Sequence, residues 1–329
     1  MTSQPSGFQS SLAAAIRQFL DHKRALARKF VVEEKALRLL DRYLVEHDVR
    51  APKQITPDLL DAFLASRPRK TPRSYNHLLG TVARLFNWLV GQGLLERSPL
   101  RAKPRRQTTQ RIPFLFDQTM ARRLLELAGG LPDNPRAPMR GLTYRTIFAL
   151  LYGLGLRVGE AARLRLGDVD WERQLLVIRL TKFSKSRLVP FGPRIGALLR
   201  QYQEAREQRL GCLPADAPLF SFVRGHGLNP STISQVFHCL VPRLSLHVPP
   251  GTAPPRAHDL RHSFAVGTLL RWYRAGLDPA ARRLPLSTFL GHVDPASTAV
   301  YLTITQDLLQ EANRRFEEFA RPALEEPSP

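Results

Sequence analysis

The stretch RAHDLRHSFA (residues 256–265) places three polar side chains at the start of an apolar run. His258, Arg261 and His262 stand at positions i, i+3 and i+4, so on a helix they share one face and can converge on a single ligand. Two kinds of ligand suit such a face, a metal ion and an anion. The rest of the sequence distinguishes between them.

If the ligand were a metal ion, HDLRH would be a variant of the HExxH motif in which Asp259 replaces the glutamate base. Several features oppose this interpretation. Aspartate is one methylene shorter than glutamate, Arg261 would set a fixed cation beside the metal, and no third ligand follows at a metzincin-like spacing. The anion is therefore the favoured ligand.

A second arginine supports the anion site. In GLGLRVGEAARLRLGDVD (residues 153–170), Arg157 follows a glycine-containing turn and opens a short predicted helix, with Glu160 one turn later. Guanidinium groups present fixed forks of donors. Arg157 and Arg261 together can therefore hold the non-bridging oxygens of one phosphodiester and stabilise the charge that gathers on them during reaction.

The composition agrees with a polyanionic partner. Lysine and arginine number 49 against 28 aspartates and glutamates, which gives a formal net charge of +21 spread over both halves of the chain. This charge favours nucleic acid, although net charge speaks to association rather than to fold. The two cysteines are too few for a disulfide framework, and no apolar run is long enough for a membrane span, so we expect a cytoplasmic protein.

The chain of 329 residues is long enough for two domains. Thr56 and Thr71 are predicted N-caps, each followed by proline, and Gly91 is placed to end a helix. The predicted fold class is mainly α, a helical N-terminal domain followed by a mostly helical α+β domain with a small antiparallel sheet. The predicted boundaries are a first domain at residues 1–95, a basic linker at 96–112, a second domain at 113–320 and a disordered tail at 321–329.

Helix start signals and one hairpin organise the second domain. Asp117 and Asn229 are predicted N-caps. RQLLVIRLTKFSKSRLVPF (residues 173–191) has two β-rich runs around a polar turn and predicts a hairpin. Asp294 with its following proline repeats the start signal, which would put Tyr301 on a short helix or at its end.

Four motifs, in this order and at these separations, resemble the catalytic motifs of the tyrosine recombinases, also called the phage integrase family. They are GLGLRVGEAARLRLGDVD (residues 153–170), TKFSKSRLVPF (181–191), HDLRHSFAVGTLL (258–270) and LGHVDPASTAVYLTIT (290–305). TPRSYNHLLGTVARLFNWLVGQGLLERSPL (71–100) is similar to the end of the family's N-terminal core-binding domain. The resemblance implies a core-binding domain at 1–95 and a catalytic domain at 113–320.

Carried over position by position, the resemblance makes Arg157 and Arg261 the clamp on the scissile phosphate. It makes Tyr301 the nucleophile that forms a 3′-phosphotyrosyl bond. Lys182 matches the hairpin lysine that protonates the leaving 5′ oxygen, and His258 matches the histidine positioned as a proton acceptor. A phenol with a pKa of about 10 is a poor nucleophile at neutral pH, so it needs these partners.

The remaining positions of the resemblance are supporting ones. His292 matches a second histidine that bonds the phosphate, Glu160 matches a supporting acidic position, and His262 is assigned to structure. The hairpin turn TKFSKS departs from the glycine-rich turn that is common in the family. Lys185 therefore stays an alternative to Lys182 as the general acid.

The implied function is site-specific DNA recombination or integration, with no cofactor, metal or ATP. The implied partners are double-stranded DNA with a specific target site and further copies of the chain, as a tetramer on paired sites. The apolar stripe in DLLQEANRRFEEFARP (residues 307–322) is then expected to dock on a neighbouring protomer, with docking within its own chain as the alternative. Relaxation of DNA by a type IB topoisomerase-like enzyme and DNA binding without catalysis are the alternatives, but the LGH motif and the complete set of six catalytic positions favour the recombinase.

Overall fold

The computed structural model of the chain describes residues 7–26, 28–106, 112–179, 186–223, 225–279 and 281–291, together with Gln310, Asn313 and Arg314. The chain divides into two compact units, Met1–Gln110 and Arg111–Pro329. The described residues are mainly helical and include one small antiparallel sheet, so the predicted fold class is confirmed.

The N-terminal unit is built from helices that enclose one apolar core. Thr56 accepts a hydrogen bond from the Leu59 N–H at 3.2 Å, and Thr71 accepts one from the Ser74 N–H at 3.2 Å, so both predicted N-caps are confirmed. The helix that starts after Thr71 ends at Gly91, as predicted. The bounds are α1 (Ala13–Ala25), α2 (Val31–Glu46), α3 (Pro57–Ala65) and α4 (Pro72–Gly91).

The first part of the predicted linker packs on the N-terminal unit. Leu100 and Ala102 lie against its core. The Asn76 side chain accepts a hydrogen bond from the Arg105 N–H at 2.7 Å and donates one to the Arg105 carbonyl at 2.8 Å. The Arg105 guanidinium lies 4.0 Å from the centre of the Tyr75 ring. The chain is therefore held to α4 as far as Arg105.

Other helices of the C-terminal unit surround one central helix, which is buried on nearly every side. Asp117 accepts from the Met120 N–H at 2.7 Å and Asn229 from the Ser231 N–H at 2.8 Å, which confirms these N-caps. The bounds are α5 (Gln118–Gly129), α6 (Arg140–Gly153, the central helix), α7 (Val158–Ala162), α8 (Pro193–Leu210), α9 (Pro230–Leu240), α10 (Asp259–Arg274) and α11 (Arg283–Leu290).

The sheet contains the predicted hairpin. Its strands are β1 (Val169–Asp170), β2 (Leu175–Ile178) and β3 (Arg187–Pro190), in the order β1-β2-β3 with antiparallel pairing. Side chains alternate between the two faces of a strand. In β3 the Leu188 side chain is exposed. Arg187 and Val189 lie on the opposite face, where Val189 is buried and Arg187 is nearly so.

Several predictions fall outside the described residues. They concern Lys182, Lys185, His292, the helix start at Asp294 and Tyr301. The apolar side chains of the segment 307–322 and the tail at 321–329 also lie outside them. Within the part of the chain that the structure describes, no helix has the length and apolar character needed to cross a membrane.

Candidate active site

The Glu160 carboxylate is the meeting point of three arginines. It accepts hydrogen bonds from the Arg157 backbone N–H at 2.9 Å and from Arg157 Nη1 at 2.6 Å. Arg187 binds both oxygens of Glu160 in a bidentate arrangement, in which Nη1 and Nη2 each donate a hydrogen bond of 2.9 Å. Arg261 Nη1 stands 3.9 Å from Glu160 Oε2. The Glu160 side chain is only 2% exposed, so these contacts lie in a shielded site.

The turn before α7 places Arg157. Arg157 is the N-cap residue of α7, and Glu160 is the third residue of that helix. Gly155, two residues earlier, has φ +62°, and a Cβ there would lie 2.5 Å from Phe264 Cδ1. Glycine is therefore needed for both the backbone conformation and the close approach of α10.

Arg261 enters the site from the first turn of α10. Its side chain is 1% exposed. Nη1 donates to the Gly155 carbonyl at 2.6 Å, and Nη2 donates to the Leu290 carbonyl at 2.5 Å. The second arginine of the predicted clamp thus ties the turn before α7 to the end of α11.

The three arginines also hold the end of α11. The carbonyls at a helix C-terminus carry partial negative charge and have no partner within the helix. Gly291 ends α11 in the left-handed conformation, with φ +66°. The bonds to three successive carbonyls are Arg187 Nε to Phe289 O (2.7 Å), Arg261 Nη2 to Leu290 O (2.5 Å) and Arg157 Nη2 to Gly291 O (2.8 Å).

The electrostatics of the cluster favour an anion. Three guanidinium groups lie within 4.0 Å of one carboxylate, which among these four side chains leaves an excess of two positive charges. Burial raises the pKa of Glu160, but the hydrogen bonds and charges of Arg187 and Arg157 outweigh it and lower the pKa to about 2. Glu160 is therefore ionised at neutral pH, and the cluster can accept a phosphodiester.

His258 precedes α10 and lies beside the arginines. Burial, and then the positive charges of Arg261, Arg256 and Arg157, lower its pKa to about 4. The ring is therefore neutral at pH 7 and able to accept a proton. The His262 ring meets it edge to face, with the two ring centres 4.7 Å apart.

The structure brings together Arg157, Glu160, His258 and Arg261, which are predicted from motifs far apart in the sequence. The roles assigned to Lys182, Lys185, His292 and Tyr301 remain predictions, since these residues lie outside the described ones.

Sequence reasoning missed the part played by Arg187. The signal was present in the alternation of β3, where Arg187 shares a face with the buried Val189. An arginine on the inward face of a strand requires a partner for its charge.

The family model described as "Phage integrase family" matches residues 131–307, which is more than half of the chain. The chain belongs to the phage integrase family. The resemblance of the four sequence motifs to those of the tyrosine recombinases, enzymes that cut and rejoin DNA, is therefore confirmed at the level of the family.

Individual relatives match most of this integrase-family chain. The putative integrase/recombinase y4rB of Sinorhizobium fredii is 36% identical over 320 residues, which cover 94% of this chain and 98% of the relative. The tyrosine recombinase XerD of Ralstonia nicotianae is 29% identical, with 77% and 76% covered. The structure of the Tn1549 transposon integrase in complex with transposon right end DNA aligns with this chain with a TM-score of 0.63 and 16% identity. The alignment covers 95% of this chain and 100% of the integrase chain, so the two proteins share a fold.

Proposed function

We propose that the protein is a site-specific recombinase that cuts and rejoins double-stranded DNA through a 3′-phosphotyrosyl intermediate. The observation that carries the proposal is the convergence of Arg157, Arg187 and Arg261 on one shielded carboxylate, with positive charge in excess and the neutral His258 ring beside the arginines. This arrangement suits a phosphodiester whose charge increases in the transition state. The two cysteines are exposed and unpaired, which fits work in the reducing cytoplasm.

Arg157 is the arginine through which the scissile phosphate first enters the site. Its side chain is 31% exposed, and its hydrogen bonds to Glu160 and Gly291 use two of the five N–H donors of a guanidinium. Arg261 is covered and donates to carbonyls. We expect a phosphoryl oxygen to replace one of these carbonyls when DNA binds, because an anionic oxygen is the stronger acceptor.

The remaining roles complete the proposed reaction. The Tyr301 oxygen attacks the phosphorus, and neutral His258 accepts the phenolic proton. The bond to the 5′ oxygen breaks, and Lys182, or alternatively Lys185, gives that oxygen a proton. His292 donates to the phosphate. Because the phosphotyrosyl bond conserves the energy of the phosphodiester, attack by a free 5′ hydroxyl reseals the strand without ATP.

The partners of the proposed reaction are a specific DNA site and further copies of the chain. A net charge of +21 favours binding to DNA, and log affinity should fall linearly as log salt concentration rises. We infer that four protomers act on two paired sites.

The test is a suicide substrate, a nicked duplex that carries the site selected by the wild-type chain from a random-sequence library. Loss of the short 5′ fragment should trap the wild-type protein on DNA as a band that resists denaturant. Tyr301→Phe removes only the attacking oxygen, so DNA affinity should persist while the band disappears. Peptide mapping of the wild-type band should place the adduct at Tyr301.

The matched control is Tyr273→Phe, which removes a phenol from α10 and should leave the band unchanged. An adduct on another residue, or an undiminished band from Tyr301→Phe, would overturn the assignment of the nucleophile.

Adding a second copy of the site should then yield recombined products, whereas relaxation of a supercoiled plasmid without recombined products would point to a topoisomerase.

A further inference from the structure

Arg187 is an arginine in a position that packing alone does not explain. It lies on the inward face of β3, and its side chain is 9% exposed. Nε donates to the Phe289 carbonyl at 2.7 Å, while Nη1 and Nη2 each reach one oxygen of Glu160 at 2.9 Å. Ordering a long side chain and desolvating its charge both cost free energy. These costs are offset by three directed hydrogen bonds from the charged guanidinium, two of them to an ionised carboxylate.

The partners of Arg187 belong to two separate parts of the candidate site. Glu160 belongs to α7 and also holds Arg157. Phe289 lies in the last turn of α11, three positions before His292 in the chain. Arg187 itself stands on the hairpin strand that follows Lys182 and Lys185 in sequence. One guanidinium therefore joins the hairpin, the arginine clamp and the segment that leads to His292.

Arg187 makes the largest contribution to the ionised state of Glu160. Burial alone would favour the protonated carboxyl, and the contacts of Arg187 are the largest of those that oppose it. A protonated Glu160 would accept a weaker hydrogen bond from Arg157, because the acceptor would no longer carry a negative charge. Among the residues that the structure describes, the charged or titratable groups that face Glu160 are Arg157, Arg187, Arg261 and His258.

Gly291 shows how closely the chain is fitted around Arg187. A Cβ at this position would lie 2.8 Å from Arg187 Nη1 and 3.1 Å from its Cδ. Any side chain at residue 291 would therefore push the guanidinium away from Glu160 or from Phe289.

We propose that Arg187 is a positioning residue for DNA cleavage, which holds the Glu160 carboxylate aimed at Arg157 and the end of α11 against the clamp. This inference rests on the proposed function. Arg187 acts through Glu160 and Phe289 rather than through the reacting phosphate. Its loss should therefore lower the rate of cleavage far more than the affinity for DNA.

The experiment compares Arg187→Gln with Arg179→Gln in the full-length chain. Arg179 also pairs with a buried carboxylate, but that carboxylate is Asp168 and not Glu160. Both variants lose one positive charge and one arginine–carboxylate pair. The single-turnover rate of adduct formation on the suicide substrate should fall about 10-fold or more for Arg187→Gln, whereas Arg179→Gln should keep the wild-type rate. Their affinities for the same DNA should match.

The pH profile separates positioning from a general loss of structure. Without Arg187, burial raises the pKa of Glu160, so the rate of Arg187→Gln should decline with falling pH at a higher pH than the wild-type rate does. The double variant Glu160→Gln/Arg187→Gln has no carboxyl to titrate, and this additional decline should vanish. Arg187→Lys retains the charge but not the fork, and its rate should lie between those of the wild type and Arg187→Gln.

The outcomes are distinct. A wild-type chain that forms no adduct overturns the proposed function and this inference with it. Wild-type adduct together with an equal rate for Arg187→Gln, or with an unshifted pH profile, overturns the inference alone. If Arg187→Gln fails to fold, Arg187→Lys decides, since a rate equal to that of the wild type would show that the fork has no positioning role.

Discussion

Glu160 and Asp168 occupy the same local position in two neighbouring turns of the C-terminal unit. Each lies three residues after an arginine and accepts a hydrogen bond from the backbone N–H of that arginine. Glu160 accepts from Arg157 at 2.9 Å, and Asp168 accepts from Arg165 at 3.0 Å. Each carboxylate is buried, and each bonds a further arginine from the sheet or its edge.

The two carboxylates differ in what converges on them. Asp168 receives one bond from Arg179, at 2.5 Å, and the Arg179 side chain is 56% exposed. Glu160 is held by the buried fork of Arg187 and by Arg157, with Arg261 close by. The same local motif therefore caps a turn at one place and organises a cationic cluster at the other. Tertiary neighbours, and not the motif, make the difference.

The largest contrast is expected between Arg261→Ala and Arg179→Ala in adduct formation. Arg261 is proposed to stabilise charge on the phosphoryl oxygens, and loss of such a donor slows reactions by about 100- to 1000-fold. Arg179 bonds the carboxylate that only caps a turn, so its variant should keep the wild-type rate. Single-turnover trapping on the suicide substrate measures both rates, and similar losses in the two variants would erase the functional distinction between the carboxylates.

A smaller effect concerns stability at acid pH and sharpens the account of Glu160. Its folded-state pKa of about 2 lies below the ordinary 4.5, so its stabilisation is full above pH 4.5 and is lost as the pH falls towards 2. At about 1.4 kcal/mol for each pKa unit, this amounts to about 3 kcal/mol. The free energies of unfolding of wild type and Glu160→Gln, measured with urea at several pH values, should therefore converge below pH 4.5.

His258 contributes in a different window. Its folded-state pKa of about 4 lies below the ordinary 6.5, so the unfolded chain takes up the proton first and stability falls as the pH drops from 6.5 to 4. The convergence expected for Glu160→Gln lies mainly below that window. A gap between the two proteins that stayed constant down to pH 3 would contradict the charged state inferred for Glu160.

The smallest effect is expected from Arg179→Gln on stability. An ion pair whose cation is largely exposed contributes about 0–1 kcal/mol, and Asp168 keeps its bond from the Arg165 N–H. Thermal unfolding of this variant should shift by only a few degrees. A loss as large as that of Arg187→Gln would show that the two pairs are energetically alike despite their different surroundings.

Local features of the fold could be predicted because their causes lie within a few residues. The caps at Thr56, Thr71, Asp117 and Asn229 each depend on a side chain and a backbone N–H two or three positions away. The hairpin follows from two β-rich runs around a polar turn. The linker shows the limit of composition, since Leu100 lies in a segment rich in arginine and proline and yet packs on the core of the N-terminal unit.

The sequence by itself determined the mainly helical fold class, the family and the four residues Arg157, Glu160, His258 and Arg261 that the fold brings together, because motif spacing and residue chemistry carry that information. Only the tertiary structure decided that Arg187 grips Glu160 across 27 residues, that it reaches Phe289 across 102, and that Arg157 meets the Gly291 carbonyl across 134. No local periodicity encodes such contacts. They exist because the folded core brings β3, the start of α7 and the end of α11 together, where buried charges and helix-end carbonyls must satisfy one another.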